Sequence, residues 1–244
     1  MIEDPRTRFT ATTENYRRYR PDYPASLFDW ILGFGEGRDA VDLGAGTGIA
    51  SRQLAERGFR VTGVEPNDAM RAAATEAGGG PTYVTGEAAA TGLPAASADL
   101  VIAAQAFHWF PLAPTLAEVD RVLRPGGSAV AFWNIRDTSD PCVAAYTALL
   151  ARYSVEVDKV PKGLATIGAI RARVPGARTR TFRNGQRLDR EGLHGRAWSS
   201  SYVAHGVADA EGFRVGLDAL FDRFEQGGTI EMAYRVEAVR FRGA

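Results

Sequence analysis

Residues 40–48 read Ala40-Val41-Asp42-Leu43-Gly44-Ala45-Gly46-Thr47-Gly48, and this stretch decides the fold. Ala40, Val41 and Leu43 have the apolar character of a short strand buried in a sheet. Gly44, Gly46 and Gly48 then let the backbone turn sharply and approach a ligand without side-chain interference. Past them, Ile49, Ala50, Leu54 and Ala55 recur at helical spacing up to the polar pair Glu56 and Arg57. Strand, glycine turn and helix N-terminus together make a nucleotide-type site in a doubly wound α/β sheet.

Two details bear on which nucleotide. The spacing is Gly-x-Gly-x-Gly, whereas the dinucleotide fingerprint needs a third glycine one position later, where this chain has Ile49. Asp42 stands just ahead of the turn, where a carboxylate repels a pyrophosphate but suits an ammonium or sulfonium charge. Downstream, Arg60-Val61-Thr62-Gly63-Val64-Glu65 reads as a second strand ending in an acid. That acid lies about twenty residues past the glycines, where doubly wound folds use a carboxylate to hold ribose hydroxyls. These residues resemble the class I S-adenosylmethionine (SAM)-dependent methyltransferases. In that family Asp-Leu-Gly-x-Gly-x-Gly is the first motif and the acid closing the second strand is the ribose ligand. The resemblance implies a Rossmann-like, doubly wound, seven-stranded sheet, mostly parallel with an antiparallel last strand, plus a small helical cap. It implies SAM as cofactor and S-adenosylhomocysteine as product. The residues it assigns to the cofactor here are Asp42, Gly44, Ala45, Gly46, Gly48, Glu65 and Pro66.

Further stretches extend the match. Met70, five residues past Glu65, is either a core methionine or, as in the family, the residue packed on the adenine. Gly86-Glu87-Ala88 falls where relatives contact the adenine amino group, through Glu87 or the backbone of Ala88. The apolar run Val101–Ala104 suits a central parallel strand, and Gln105 and His108 follow its carboxyl end, where ligands sit in open α/β sheets. Gln105 is expected at the methionine part of the cofactor. His108 is expected at the acceptor, as an acid–base group or a hydrogen-bonded structural residue, with Trp109 as an apolar wall. Glu118-x-x-Arg121-Val-Leu-Arg-Pro-Gly-Gly127 resembles the family motif that positions the fifth strand, expected over Ser128–Trp133. Arg136 follows that strand. At the N-terminus, Tyr16, Arg20, Pro21, Tyr23 and Pro24 match a Tyr-x-x-x-Arg-Pro-x-Tyr-Pro pattern of small-molecule methyltransferases. It implies an arm over the pocket, with Tyr16 and Arg20 on the cofactor; plain surface packing is the other reading. Trp198–Val203 resembles a Ser-x-Ser-Tyr element of the trans-aconitate-methyltransferase-like branch, which puts Tyr202 at the acceptor. Arg17, Arg18, Arg20 and Arg136 are candidates to hold a carboxylate acceptor.

The rest of the chain is read more coarsely. Ala25–Phe34 and Glu211–Phe224 carry helical apolar stripes, 155–170 reads as an irregular insertion, Arg178–Phe182 as an edge strand and Ile230–Phe241 as a closing strand. One domain over 1–244 is expected, with an arm at 1–24 and a cap insertion at 155–205. Formal net charge is zero and no block of five like charges occurs, so neither nucleic acid nor an anionic membrane is an expected partner. No apolar run reaches the eighteen or so residues of a membrane span. The opening Met1-Ile-Glu-Asp-Pro-Arg lacks the basic-then-apolar order of a secretory signal, so a cytoplasmic location is expected. The single cysteine, Cys142, can form neither an internal disulfide nor a metal cluster, and no metal is expected. Methyl transfer to a small-molecule carboxylate, hydroxyl or amine is the expected activity, from a monomer or homodimer. The alternatives are a SAM-binding fold with a regulatory or cyclase-like role, and a nicotinamide-dependent oxidoreductase.

Overall fold

The computed structural model describes residues 17–155 and 163–242. Seven strands form one sheet: β1 (Asp39–Leu43), β2 (Arg60–Val64), β3 (Thr82–Val84), β4 (Ala98–Ala104), β5 (Leu123–Arg136), β6 (Arg178–Leu188) and β7 (Ile230–Phe241). Their order is β3-β2-β1-β4-β5-β7-β6. The pairs from β3 through β5 are parallel, and β7 runs antiparallel between β5 and β6. The architecture is the doubly wound one expected. The order reverses between β1 and β4, so the crevice beyond their carboxyl ends is the topological switch point, where such sheets bind ligands.

The described helices are α1 (Ala25–Leu32), α2 (Ile49–Ala55), α3 (Asp68–Ala77), α4 (Leu112–Val122), α5 (Pro141–Tyr153), α6 (Gly163–Arg173), α7 (Arg190–Trp198), α8 (Ser201–Ala204) and α9 (Ala210–Phe224), with a 3-10 turn at Phe107–Trp109. Side chains alternate across a strand, so each central strand feeds two cores. Ala40, Leu100, Ile102, Val130 and Phe132 pack with Leu27, Phe28 and Ile31 of α1 and with Ala50 and Leu54 of α2. Val41, Leu43, Val101, Ala103, Ala131 and Trp133 face the other way, onto α4 and α6. Burial on both faces explains why β1 and β4 read as apolar runs rather than as alternating strands.

A third core lies at the end of the antiparallel β6–β7 pair, where Leu188, Ile230, Met232 and Tyr234 meet α5, α7, α8 and α9. This redraws the expected cap. The helical layer comes from 141–153 and 190–224, whereas much of 155–205 serves the sheet: β6 is its edge strand and α6 covers one face. The expected irregular stretch at 155–170 contains the start of α6, because Ile167 and Ile170 share an apolar stripe and Gly163 fits against the Trp133 ring. β5 also begins earlier than Ser128. Leu123 pairs with Ala98 and the register shifts before Leu100, so the Pro-Gly-Gly segment lies within an irregular strand rather than ahead of it.

The segment ahead of α1 crosses the carboxyl edge of the sheet. The Tyr19 carbonyl accepts from Gln186 Nε2 at 2.9 Å, and that of Asp22 from Asn184 Nδ2 at 2.8 Å. Tyr23 exchanges two bonds with Gln53 on α2, at 3.1 and 2.9 Å. Only the later part of the expected arm is seen here; Tyr16 lies outside the described residues.

Candidate functional site

The turn after β1 is held by its own backbone. Gly44 N and Ala45 N donate to the Val64 carbonyl at 2.8 and 3.2 Å, and Gly48 N donates to the Ala45 carbonyl at 2.9 Å. Gly46 N donates to Glu65 Oε2 at 2.8 Å. Four of the five amide donors of the 44–48 turn are therefore spent internally, which leaves few free N–H groups for phosphate oxygens. Gly44 (φ 67°) is required by contact: a Cβ there would come within 2.8 Å of Ala106 and 3.0 Å of the Phe110 ring. Gly46 (φ 57°) instead faces open space, with no heavy atom within 4 Å of where a Cβ would stand.

Two carboxylates serve this turn. Glu65, 8% exposed, also accepts from Asn67 N at 2.9 Å. Burial raises its pKa against the opposing effect of the two amide bonds. A carboxylate has about four acceptor sites, so the two bonds leave capacity for a ligand hydroxyl. Asp42 differs from expectation. At 1% exposed it lies beneath the turn, accepting from Ser51 Oγ on α2 at 2.6 Å, so it ties β1 to α2 rather than lining the open crevice. Its Oδ1 has no hydrogen-bond partner among the described residues. Burial, with a smaller push from the Glu65 charge, raises its pKa to about 7 despite the Ser51 bond. An unsatisfied buried acceptor behind a second carboxylate favours a ligand that brings donors or positive charge.

Around the turn, Met70 is 3% exposed with its amide capped by Asn67 Oδ1 at 3.0 Å, and Ala88 is buried in the core with Leu43 and Val64. Pro66 is half-buried between Glu65 and Asn67, while the Glu87 side chain is exposed. Gln105, just past β4, has φ 57°, unusual for a non-glycine residue, and donates from Nε2 to the Asn134 carbonyl at 3.2 Å. Such backbone concentrates at functional sites.

His108 is not the base that one reading of the sequence allowed. Trp133 Nε1 donates to its Nδ1 at 2.9 Å. An imidazole that accepts at Nδ1 carries its proton on Nε2, so the ring is a donor with no free nitrogen to take a proton. Burial lowers its pKa to about 4, which keeps it neutral at pH 7. Its ring lies 5.0 Å from that of Trp109, and together with Phe107, Phe110 and Thr166 it lines a cavity of about 300 Å³ between the 3-10 turn and α6.

The remaining predicted residues gather at the end of β5. Arg136 donates to Tyr202 Oη at 2.9 Å. Arg20, expected on the cofactor, reaches this side instead and donates from Nη2 to the Ser199 carbonyl at 3.1 Å. Arg17 pairs with Glu76 and Arg18 with Glu191. Sequence reading missed Arg196, Tyr146 and Tyr234, which complete this group. It also missed Trp133 and Ser51, which orient His108 and Asp42. No local pattern marks these five; only the packing brings them in. Among the described residues no helix is long and apolar enough to cross a membrane.

Residues 41–131 match the family model described as a methyltransferase domain. An uncharacterized methyltransferase of Mycobacterium tuberculosis is 41% identical over 133 residues, 53% of each chain. A probable S-adenosylmethionine-dependent methyltransferase of Saccharomyces cerevisiae is 33% identical over 129 residues, 49% of this chain and 44% of that one. The chain thus spans about half the length of the curated relatives it matches. A solved structure of a putative type II methyltransferase from Anaeromyxobacter dehalogenans superposes with a TM-score of 0.68 at 30% identity, covering 91% of this chain and 96% of that one.

Proposed function

This chain belongs to the methyltransferase family, and from that premise we propose that it transfers a methyl group from S-adenosylmethionine to a small-molecule acceptor. One observation carries the choice of cofactor: the glycine turn spends its amide donors internally and is backed by two buried carboxylates, Glu65 and Asp42. A pyrophosphate would meet the Glu65 charge and few free amide donors there, which counts against a nicotinamide dinucleotide. A nucleoside carrying an amino acid and a sulfonium brings the donors and charge that the turn lacks. Glu65 would hold the ribose through its remaining acceptor sites. Gly46 permits close approach, Met70, Ala88 and Pro66 would flank the base, and Gln105 would stand at the amino-acid end.

When bound, the cofactor supplies a methyl group already activated by the positive sulfur, so the chain has chiefly to align the acceptor. Alignment of two bound reactants can lower a barrier by roughly 7–11 kcal/mol in favourable cases. His108 contributes an Nε2–H donor fixed by Trp133, which can orient an acceptor oxygen but not deprotonate it. Phe107 and Phe110 line the cavity beside His108 and would keep water from an acceptor held there.

The test combines calorimetry with S-adenosylhomocysteine and mass analysis of a panel of acids, phenols and amines incubated with SAM. Tight product binding and gain of one methyl group are expected. Stabilisation by NAD⁺ with no response to S-adenosylhomocysteine would refute the reading. Product binding without transfer to any panel member would favour a SAM-binding protein of another role.

A further inference from the structure

Two guanidinium groups are sunk into the end of the sheet, and among the described residues no acid meets them. Arg196 on α7 is 5% exposed, and its Nε donates to Tyr234 Oη at 3.1 Å and its Nη1 to Ser200 Oγ at 3.1 Å. Arg136, leaving β5, donates to Tyr202 Oη at 2.9 Å, and its guanidinium carbon stands 5.8 Å from the centre of the Tyr146 ring. Tyr146 is fully buried, and its hydroxyl meets no partner among the described residues. Among the described residues, every partner of Arg136 and Arg196 is a hydroxyl or a ring, never a carboxylate.

Burying a cation costs several kcal/mol unless an opposite charge or a full set of acceptors compensates, and a second cation nearby adds to the cost. Hydroxyl dipoles offset part of this. Tyr202 offsets a little more: burial would raise its pKa, but Arg136 and then Arg196 outweigh burial and bring it to about 8. Even ionised, it supplies one negative charge against two positive ones, and at pH 7 it is mostly protonated. The planar guanidinium fork matches an oxyanion, and the idle Tyr146 hydroxyl adds a donor. The position is apt too. Asn134, two residues before Arg136, is bonded through its carbonyl to Gln105 at the switch-point crevice. Nor has His108 a nitrogen free to take a proton, which suits an acceptor that arrives ionised.

We propose that Arg136, Arg196, Tyr146 and Tyr202 bind an oxyanion carried by the methyl acceptor, a carboxylate or a phosphate group, making the acceptor an anionic small molecule. The word acceptor rests on the methyltransferase reading; the anion site itself does not.

The experiment uses the full chain saturated with S-adenosylhomocysteine and measures thermal shifts with benzoate, glutarate and phenyl phosphate against benzamide and glutaramide. Saturable stabilisation by the anions and none by the amides is expected; a response to the carboxylates alone, or to phenyl phosphate alone, identifies which oxyanion. Arg136→Gln should weaken the anion response roughly 10–100-fold, the scale of one charge-assisted contact, while S-adenosylhomocysteine affinity changes less than about twofold. Arg196→Met removes the more deeply buried charge; it should raise the melting temperature of the unliganded protein and abolish the anion response. Equal stabilisation by amides, no response to any anion, or an anion response that survives both substitutions would overturn the proposal. Failure of the methyltransferase reading would appear separately, as a wild-type chain that ignores S-adenosylhomocysteine whatever the anions do.

Discussion

Replacing Asp42 with Asn should make the unliganded protein more stable at neutral pH and flatten one part of its pH profile. The carboxylate is 1% exposed, and its pKa stands at about 7 against an ordinary 3.8. Between these values the folded chain keeps a proton that the unfolded chain has lost, so stability falls as pH rises from about 4 to 7 and is level above that. A gap of about three units at ~1.4 kcal/mol each sets the span at about 4 kcal/mol at most. His108 titrates in the same window with the opposite sign: its pKa is lowered from 6.5 to about 4, so its contribution is lost as pH falls. The informative quantity is therefore the difference between variant and wild type, from urea unfolding at half-unit steps between pH 4.5 and 8. Asn keeps an acceptor for Ser51 Oγ and cannot ionise, so the stability difference should grow in the variant's favour up to pH 7. Binding of the cationic amino-acid nucleoside should show the complement, strengthening with pH in the wild type and not in the variant. A difference curve that stays flat across pH 5–7 would refute the argument, since the buried carboxylate would then not be titrating there.

Glu65→Gln leaves one acceptor where Gly46 N and Asn67 N each need one. It should weaken S-adenosylhomocysteine by roughly 1.5–3 kcal/mol in calorimetry; unchanged affinity in a folded variant would remove Glu65 from the cofactor site. His108 should stay neutral down to about pH 5, because burial holds its pKa near 4. With three histidines in the chain, ring-proton NMR can follow each one, and a His108 titrating near 6.5 would contradict the burial that keeps it neutral.

The order of elements from 40 to 136 was legible because each signal there is local. The glycine turn, the acid closing β2 and the apolar run of β4 each fit within a few residues, and the chain must obey them wherever it packs. The same locality let the 230–241 alternation announce a half-buried closing strand. Boundaries blurred where a neighbour far along the chain decides, as at Leu123, drawn into β5 by Ala98, and at Gly163, seated on Trp133. Chemistry was harder to read than fold. The sequence offers His108 as a base; a tryptophan twenty-five positions on fixes its proton on the wrong nitrogen for that role. The residues around Arg136 come from β5, α5, α7, α8 and β7, with no spacing to betray them. Sequence alone set the sheet and its ligand-binding turn, since these follow from short-range backbone and burial patterns. Only the tertiary structure decided what the charges do, because the pKa of a buried group and the partner of a buried cation depend on what folding brings beside it.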